Sequence, residues 1–352
     1  MNKVKNLINQ LNKKHFLSID EWYQVIQGQN EEIIKYAGEI ARKAREPYYG
    51  NKVFIRGLIE FTNYCKNNCY YCGIQRKNKK VHRYRLTIKE IMDCCKEGYQ
   101  LGFRTFVLQG GEDPYYSDDK VVKIITSIKS KYPDCAVTLS IGEKPRESYL
   151  RYKEAGADRY LLRHETANEN HYRKLHPVEL SLSNRKECLY TLKELGYQVG
   201  AGFMVGSPYQ TIESLVEDMI FLKDLNPHMV GIGPFIPHHD TVFAKEAAGS
   251  MDQTLYFLSL IRIMMPEVLL PATTALATID SLGREKGMQA GANVVMPNLS
   301  PDMFRKDYLL YDNKLATGEE SAQSYQILEK RMKKIGYEIV FDRGDHVSMK
   351  KD

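Results

Sequence analysis

The segment Phe61 to Gly73 reads "FTNYCKNNCYYCG" and places Cys65, Cys69 and Cys72 within eight residues, at the spacing C-x3-C-x2-C, with Tyr71 just before the last thiol. The chain has seven cysteines, and three of them in one short loop point to a shared ligand rather than to chance. A loop of reduced, free thiols is the alternative without a function. Structural zinc takes four protein ligands, usually from two separated pairs, and no second pair accompanies this loop. An [4Fe–4S] cluster also takes four ligands. Three cysteines leave one iron open to a group the protein does not supply, as a catalytic metal keeps one position free. The remaining Cys94, Cys95, Cys135 and Cys188 read as reduced packing residues.

Such a loop needs a frame. It follows the β-rich run "VFIRGLIEF" (53–61), and similar runs recur as "RTFVLQ" (104–109), "AVTLS" (136–140), "RYLLR" (159–163), "YQVGAGFMV" (197–205), "MVGIGPF" (229–235), "LLPATT" (269–274) and "ANVVMP" (292–297). Between them, segments such as "TIKEIMDCCKEGYQLG" and "TIESLVEDMIFLKDL" carry apolar residues at helical spacing. Eight strand–helix repeats over about 250 residues are the expected size of an α/β (β/α)8 TIM barrel. A doubly wound open sheet shows the same alternation and is the competing architecture. Upstream, "SIDE" at Ser18 to Glu21 has the pattern of a capping box, and Ile33, Ile34, Ala37, Ile40, Ala41 and Ala44 recur at helical spacing until Pro47. The expected organisation is an N-terminal helical extension over residues 1–48 and a barrel with a C-terminal segment over 49–352.

In barrels the residues that do chemistry sit at and just after the C-terminal strand ends. Here those positions are polar: the cysteine loop, then "QGGEDPYY", "SIGEKPRE", "RHETAN", "GSPYQT", "IPHHDT" and the Thr273–Thr274 pair. They would converge on one mouth.

Composition narrows the class further. With 352 residues and 43% hydrophobic content the chain can build a large core. No apolar run approaches a membrane span, and the first residues lack the apolar stretch of a secretory signal, so a cytoplasmic protein without membrane contact is expected. The net charge of +6 reads as spread through the chain, and no basic run with interleaved aromatics suggests nucleic acid.

The three-cysteine motif after the first strand, with an aromatic before the last cysteine and Gly-Gly-Glu after the second strand, resembles the radical S-adenosylmethionine superfamily. Longer blocks narrow it. "RGLIEFTNYCKNNCYYCG", "VLQGGEDPYY", "AGADRYLLRHETAN", "TLKELGYQVGAGFMVG", "MVGIGPFIPHHDT", "LLPATTALATI" and "GANVVMPN" together resemble the HydE family of [FeFe]-hydrogenase maturases over roughly residues 45–315. The resemblance implies an anaerobic enzyme with one [4Fe–4S] cluster on Cys65, Cys69 and Cys72. It implies that S-adenosylmethionine binds the open iron and is reductively cleaved, with a flavodoxin or ferredoxin as electron donor. It further implies Tyr71 against the adenine, Gly110, Gly111 and Glu112 beside the methionine moiety, and Arg163, Glu165 and Arg185 on the cofactor's polar groups. Gln109, Thr138, Arg159, Met229, Thr273, Thr274, Met296, Tyr308 and Tyr311 match the family's substrate cavity, with Arg159, Thr273 and Thr274 as the expected anion holders. The implied substrate is a small cysteine-bearing iron carbonyl cyanide species, handled with a sister maturase and a scaffold protein.

Related readings are a 3-methylornithine synthase-like mutase, which shares "GEDPYY" and "GANVV", and a biotin-synthase-like enzyme; outside enzymes, an iron–sulfur electron-transfer protein fits the cysteines. His238 and His239 in "PHHD" read as loop residues or polar anchors. Some relatives carry a second cysteine cluster near the C-terminus, whereas the segment after Tyr311 contains no cysteine. Anaerobic reconstitution is therefore expected to give about four iron atoms per chain, with one iron exchangeable; about eight would overturn the single-cluster reading.

Overall fold

The computed structural model describes residues 2–315 and 318–349; positions 316, 317 and 350–352 of the expected barrel domain lie outside the described residues. Three helices, Asn2–Lys14, Ile19–Gln27 and Glu31–Tyr49, form the N-terminal extension. The capping box is present: the Glu21 N–H donates to Ser18 Oγ at 3.3 Å, and the Ser18 N–H donates to Glu21 Oε2 at 2.8 Å. Pro47 does not stop the third helix, which runs on to Tyr49 before Gly50 at φ +54°. So close to the end, a proline forfeits one backbone bond and the last turn survives. Ile33, Ala37 and Ala41 are buried in the same apolar core as Tyr256, Phe257 and Ile261 of the helix Met251–Met264. The extension is thus packed onto the barrel.

The strands are β1 (Lys52–Ile55), β2 (Gly57–Thr62), β3 (Thr105–Gly110), β4 (Ala136–Ser140), β5 (Arg159–Leu161), β6 (Gln198–Ala201), β7 (Met204–Val205), β8 (Met229–Val230), β9 (Gly233–Pro234), β10 (Val294–Val295) and β11 (Glu338–Val340). A six-stranded parallel sheet runs β2-β3-β4-β5-β6-β8. It then closes on itself. The Val230 N–H donates to the Leu269 carbonyl at 3.0 Å, Ala272 to Val294 at 3.0 Å, and Leu58 to Pro297 at 2.9 Å. Closure through the 269–272 segment and β10 back to β1 and β2 excludes the open doubly wound sheet and makes this a (β/α)8-type barrel.

Three of the expected strands are interrupted. The first breaks at Arg56, the fifth at Gly202 and the sixth between β8 and β9. Gly202 has φ +149°, and a Cβ there would lie 2.0 Å from the Gly231 carbonyl, so neighbouring backbones approach too closely for a side chain. No helix among the described residues is long and apolar enough to cross a membrane.

β11 was not expected. It pairs in parallel with β1, and the turn behind it seals the N-terminal end of the barrel. There the Arg159 guanidinium, 3% exposed, pairs with Asp345 at 2.5 Å and donates to the Arg343 carbonyl, while Gln198 donates to the same Asp345 oxygen at 2.7 Å. Burial pushes the Asp345 carboxyl up, but Arg159, Arg343 and Gln198 outweigh it and hold it below the usual carboxylate range. A carboxylate depressed in the folded state stabilises above its unfolded pKa, and that contribution fades as pH falls through the folded one. Asp345→Asn should cost roughly 2 to 3 kcal/mol at pH 7, because Arg159 stays buried without its counter-charge. Thermal unfolding across the acid range should show the gap from wild type closing below about pH 4.

Candidate active site

The cysteine loop, residues 63–83, contains neither helix nor strand. Its backbone polar groups must therefore be met from elsewhere. The Lys66 N–H donates to Glu112 O, Tyr70 to Leu175 O and Gly73 to Leu310 O, each at 2.9 Å. One arginine clamps the loop from within: Arg83 donates to the carbonyls of Asn63, Ile74 (2.8 Å), Gln75 (2.7 Å) and Asn78 (3.0 Å). Sequence reasoning missed Arg83, since nothing local marks it among its basic neighbours.

Burial pushes all three thiols up, Cys72 to about 12, and the neighbouring sulfurs add to the shift at Cys69. Only a cationic centre would make these thiolates the stable form. Zinc–sulfur bonds of about 2.3 Å hold sulfurs roughly 4 Å apart. Among the described residues the one group of three candidate ligands within 4.8 Å of one another is His238, His239 and Asp312, so the cysteine sulfurs are spread wider than a single ion needs. That spread of three half-buried thiols fits an [4Fe–4S] cluster.

The "QGGE" turn supports the loop as well as facing the cavity. A Cβ on Gly111 would lie 2.2 Å from Tyr64 O and 2.7 Å from Cys65 Cβ, and one on Gly110 2.7 Å from Thr62 Cγ2. Both glycines are thus required by protein packing. Glu112 is buried, accepts from the Glu143 N–H at 3.0 Å and pairs with Lys66 at 3.2 Å.

Opposite the loop, the residues after β5 form a polar wall. Glu165 sits at φ +66°, a left-handed conformation unusual for a glutamate, locked by backbone bonds to Gly202 (3.0 Å) and from Met204 (3.2 Å). His164 and Asp218, fully buried behind it, accept from the Gly202 and Ala167 N–H groups at 3.3 and 2.6 Å. Burial drives the imidazole pKa down and the carboxyl pKa up. Arg163 Nη2 lies 3.1 Å from Glu165 Oε2, yet Arg163 Nε and Nη2 and Glu165 Oε2 lack hydrogen-bond partners. Unsatisfied buried polar atoms facing a cavity mark where a polar ligand belongs. Arg185 pairs with Glu143 and donates to Arg163 O at 2.7 Å, and Tyr71 OH is 3.2 Å from His176 Nε2.

These groups and the cysteine loop line one cavity of about 380 Å³, together with Gln109, Thr273, Thr274, Met296, Tyr308 and Tyr311. Thr273 Oγ1 has no partner. The cavity also carries two buried ion pairs that sequence reasoning missed, Glu60 with Lys314 at 2.6 Å and Arg284 with Glu320 at 3.0 Å. Each joins residues far apart in sequence, so no local pattern announces it.

Three expected cavity residues are elsewhere. Thr138, Arg159 and Met229 surround a separate void of about 10 Å³, room for one water-sized group, with Leu161 lining both spaces. Arg159 faces Asp345 because it starts its strand, and the N-terminal strand ends point away from the mouth. His238 is buried where a Cβ on Gly73 would strike it at 2.3 Å, and exposed His239 pairs with Asp312 at 2.6 Å; both act as anchors for the loop and the C-terminal segment. The positive charge is uneven: residues 63–83 hold Lys66, Arg76, Lys77, Lys79, Lys80 and Arg83 and no acid, as many charges as the +6 of the whole chain.

A family model described as the Radical SAM superfamily matches residues 59–222. Over 323 residues, 92% of this chain and 89% of the relative, the sequence is 49% identical to the [FeFe] hydrogenase maturase subunit HydE of Thermotoga maritima. It is 32% identical over 324 residues, 92% and 90% of the two chains, to 3-methylornithine synthase of Methanosarcina acetivorans. The solved structure of methylornithine synthase (PylB) superposes with a TM-score of 0.81 at 27% identity, covering 95% and 97% of the chains. The maturase HydG shares the fold, with a TM-score of 0.81 at 21% identity over 97% of this chain and 76% of the other.

Removing the internal clamp should loosen the loop without touching a ligand. Arg83→Ala is expected to release iron to a chelator at least about tenfold faster than wild type, since four carbonyls lose a charged donor. Equal release rates would show that the clamp is dispensable.

Proposed function

Since this chain belongs to the HydE family of [FeFe]-hydrogenase maturases and is a radical S-adenosylmethionine enzyme, we propose that it cleaves S-adenosylmethionine reductively to a 5′-deoxyadenosyl radical. We further propose that its substrate is a small cysteine-bearing iron carbonyl cyanide species used in assembly of the diiron site. One [4Fe–4S] cluster, held by Cys65, Cys69 and Cys72, would supply the electron and an open iron for the cofactor's amino and carboxylate groups. The reading rests above all on the unsatisfied Arg163 and Glu165 atoms that face the cysteine loop across the cavity.

In this reading Arg163 takes the cofactor carboxylate, where a planar guanidinium gives bidentate contact, and Glu165 accepts from an ammonium or a ribose hydroxyl. Arg185 fixes Glu143 and the Arg163 carbonyl, which orients the wall. Tyr71, held edge-on against His176, offers its ring to the adenine. Deeper in, the unpartnered Thr273 hydroxyl, Thr274 and Gln109 receive the polar end of the substrate, with Met296, Tyr308 and Tyr311 excluding water. Arg159, already neutralised by Asp345, supports the barrel floor instead. A flavodoxin or ferredoxin would donate the electron, and a sister maturase and a scaffold would precede and follow this enzyme.

A second reading, a lysine-rearranging mutase, draws on the similarity to 3-methylornithine synthase. The two part on product. Wild-type protein should form 5′-deoxyadenosine under reduction and restore hydrogenase activation in a maturation mixture that lacks it; conversion of lysine to 3-methylornithine without activation would favour the mutase. Glu165→Gln keeps the shape and removes the charge, so S-adenosylmethionine should bind at least about tenfold more weakly while the cluster spectrum stays unchanged. Loss of the cluster in that variant would mean that Glu165 serves the loop rather than the cofactor.

A further inference from the structure

Half of the positive charge concentrated on the cysteine loop has no internal partner. Of its six cations, Arg83 is consumed by loop carbonyls, Lys66 pairs with Glu112 and Lys80 with Asp240. Arg76, Lys77 and Lys79 are exposed, and among the described residues no carboxylate lies within ion-pair distance of them. Like charges so close repel one another, and an unpaired cluster of them is tolerated where a partner of opposite charge benefits.

Their position ties them to the cluster ligands. The Gln75 N–H donates to Cys72 O at 3.1 Å, Arg76 to Asn67 O at 2.8 Å, and Lys77 to Asn68 Oδ1 at 2.9 Å. Asn67 and Asn68 are two of the three residues between the first two cysteines. The basic run is therefore folded back onto the ligand loop, and Arg76, Lys77 and Lys79 do not line the cavity. Whatever docks there rests on residues hydrogen-bonded directly to the segment that carries the cysteines.

We infer that the outer face of this loop, centred on Arg76, Lys77 and Lys79, is the docking surface for an acidic one-electron carrier protein. The inference rests on the reading that S-adenosylmethionine is cleaved reductively, which requires one electron from outside. In the docked pair the reduced carrier loses one electron and the cluster gains it; no bond forms or breaks at the contact. An acidic surface both orients the carrier and raises the encounter rate. A nucleic acid would also answer to charge, but it carries no electron and gains nothing from lying against the ligand loop.

The test uses cluster-loaded protein and reduced flavodoxin as the acidic probe, with cluster bleaching followed by stopped flow and affinity by titration with oxidised flavodoxin. Lys77→Glu/Lys79→Glu should lower the second-order reduction rate at least about tenfold at low salt, weaken binding and flatten the salt dependence. Lys96→Glu/Lys123→Glu, on the exposed faces of the helices Ile88–Gln100 and Asp118–Lys131, makes the same change in net charge and should stay within about twofold of wild type. With photoreduced deazaflavin in place of the carrier, both variants should form 5′-deoxyadenosine at the wild-type rate. Carrier reduction unchanged in the loop variant, an equal loss in both variants, or a loss confined to RNA binding overturns the docking surface. Absence of 5′-deoxyadenosine from photoreduced wild type overturns reductive cleavage instead, and the flavodoxin titration still decides the docking.

Discussion

The cysteine loop has to hold three half-buried thiols in fixed positions with no helix or strand of its own, and the rest of the molecule answers to that requirement. Backbone groups in such a segment cost free energy when buried without partners. Here the partners come from three directions: the Glu112 carbonyl after β3, Leu175 at the end of the helix Glu169–Leu175, and Leu310 in the C-terminal segment. Arg83 closes the loop from inside with a single guanidinium. The glycines at 73 and 111 leave room for His238 and for the Tyr64 carbonyl, so their absent side chains are part of the same support.

Around that fixed loop the cavity wall carries polar atoms without hydrogen-bond partners at Arg163, Glu165 and Thr273, beside apolar and internally paired residues. Glu165 is forced into a left-handed backbone by its bonds across to Gly202 and Met204 and is backed by the buried His164 and Asp218. A strained backbone held so firmly keeps its carboxylate from relaxing into the protein's own hydrogen bonds. The Glu60–Lys314 and Arg284–Glu320 pairs, by contrast, are satisfied before anything binds, and they fasten the C-terminal segment across the mouth.

The other end of the barrel is closed by different means. β11 inserts beside β1, and Asp345 neutralises Arg159 beneath the cavity. Two arginines, Arg56 and Arg159, are buried there, and burial presses both guanidiniums toward their neutral forms. A floor with this much charge stays rigid only while its counter-charge from the last residues is in place.

Period and spacing in the sequence determined the alternating strands and helices, the capping box at Ser18, and a three-cysteine loop at the first strand end, because each is set by residues a few positions apart. They also marked Arg163, Glu165, Thr273 and Thr274 as residues of one mouth, since a parallel barrel gathers its C-terminal strand ends. Local pattern could not decide which end of a three-residue strand holds a side chain, and so Arg159 belongs to the floor and not to the cavity. Nor could it reveal β11, the Glu60–Lys314 pair or the Arg83 clamp, whose partners are brought together only when the chain closes on itself. Contacts between distant residues are properties of the tertiary fold, and these are what turn a cysteine motif into a walled site.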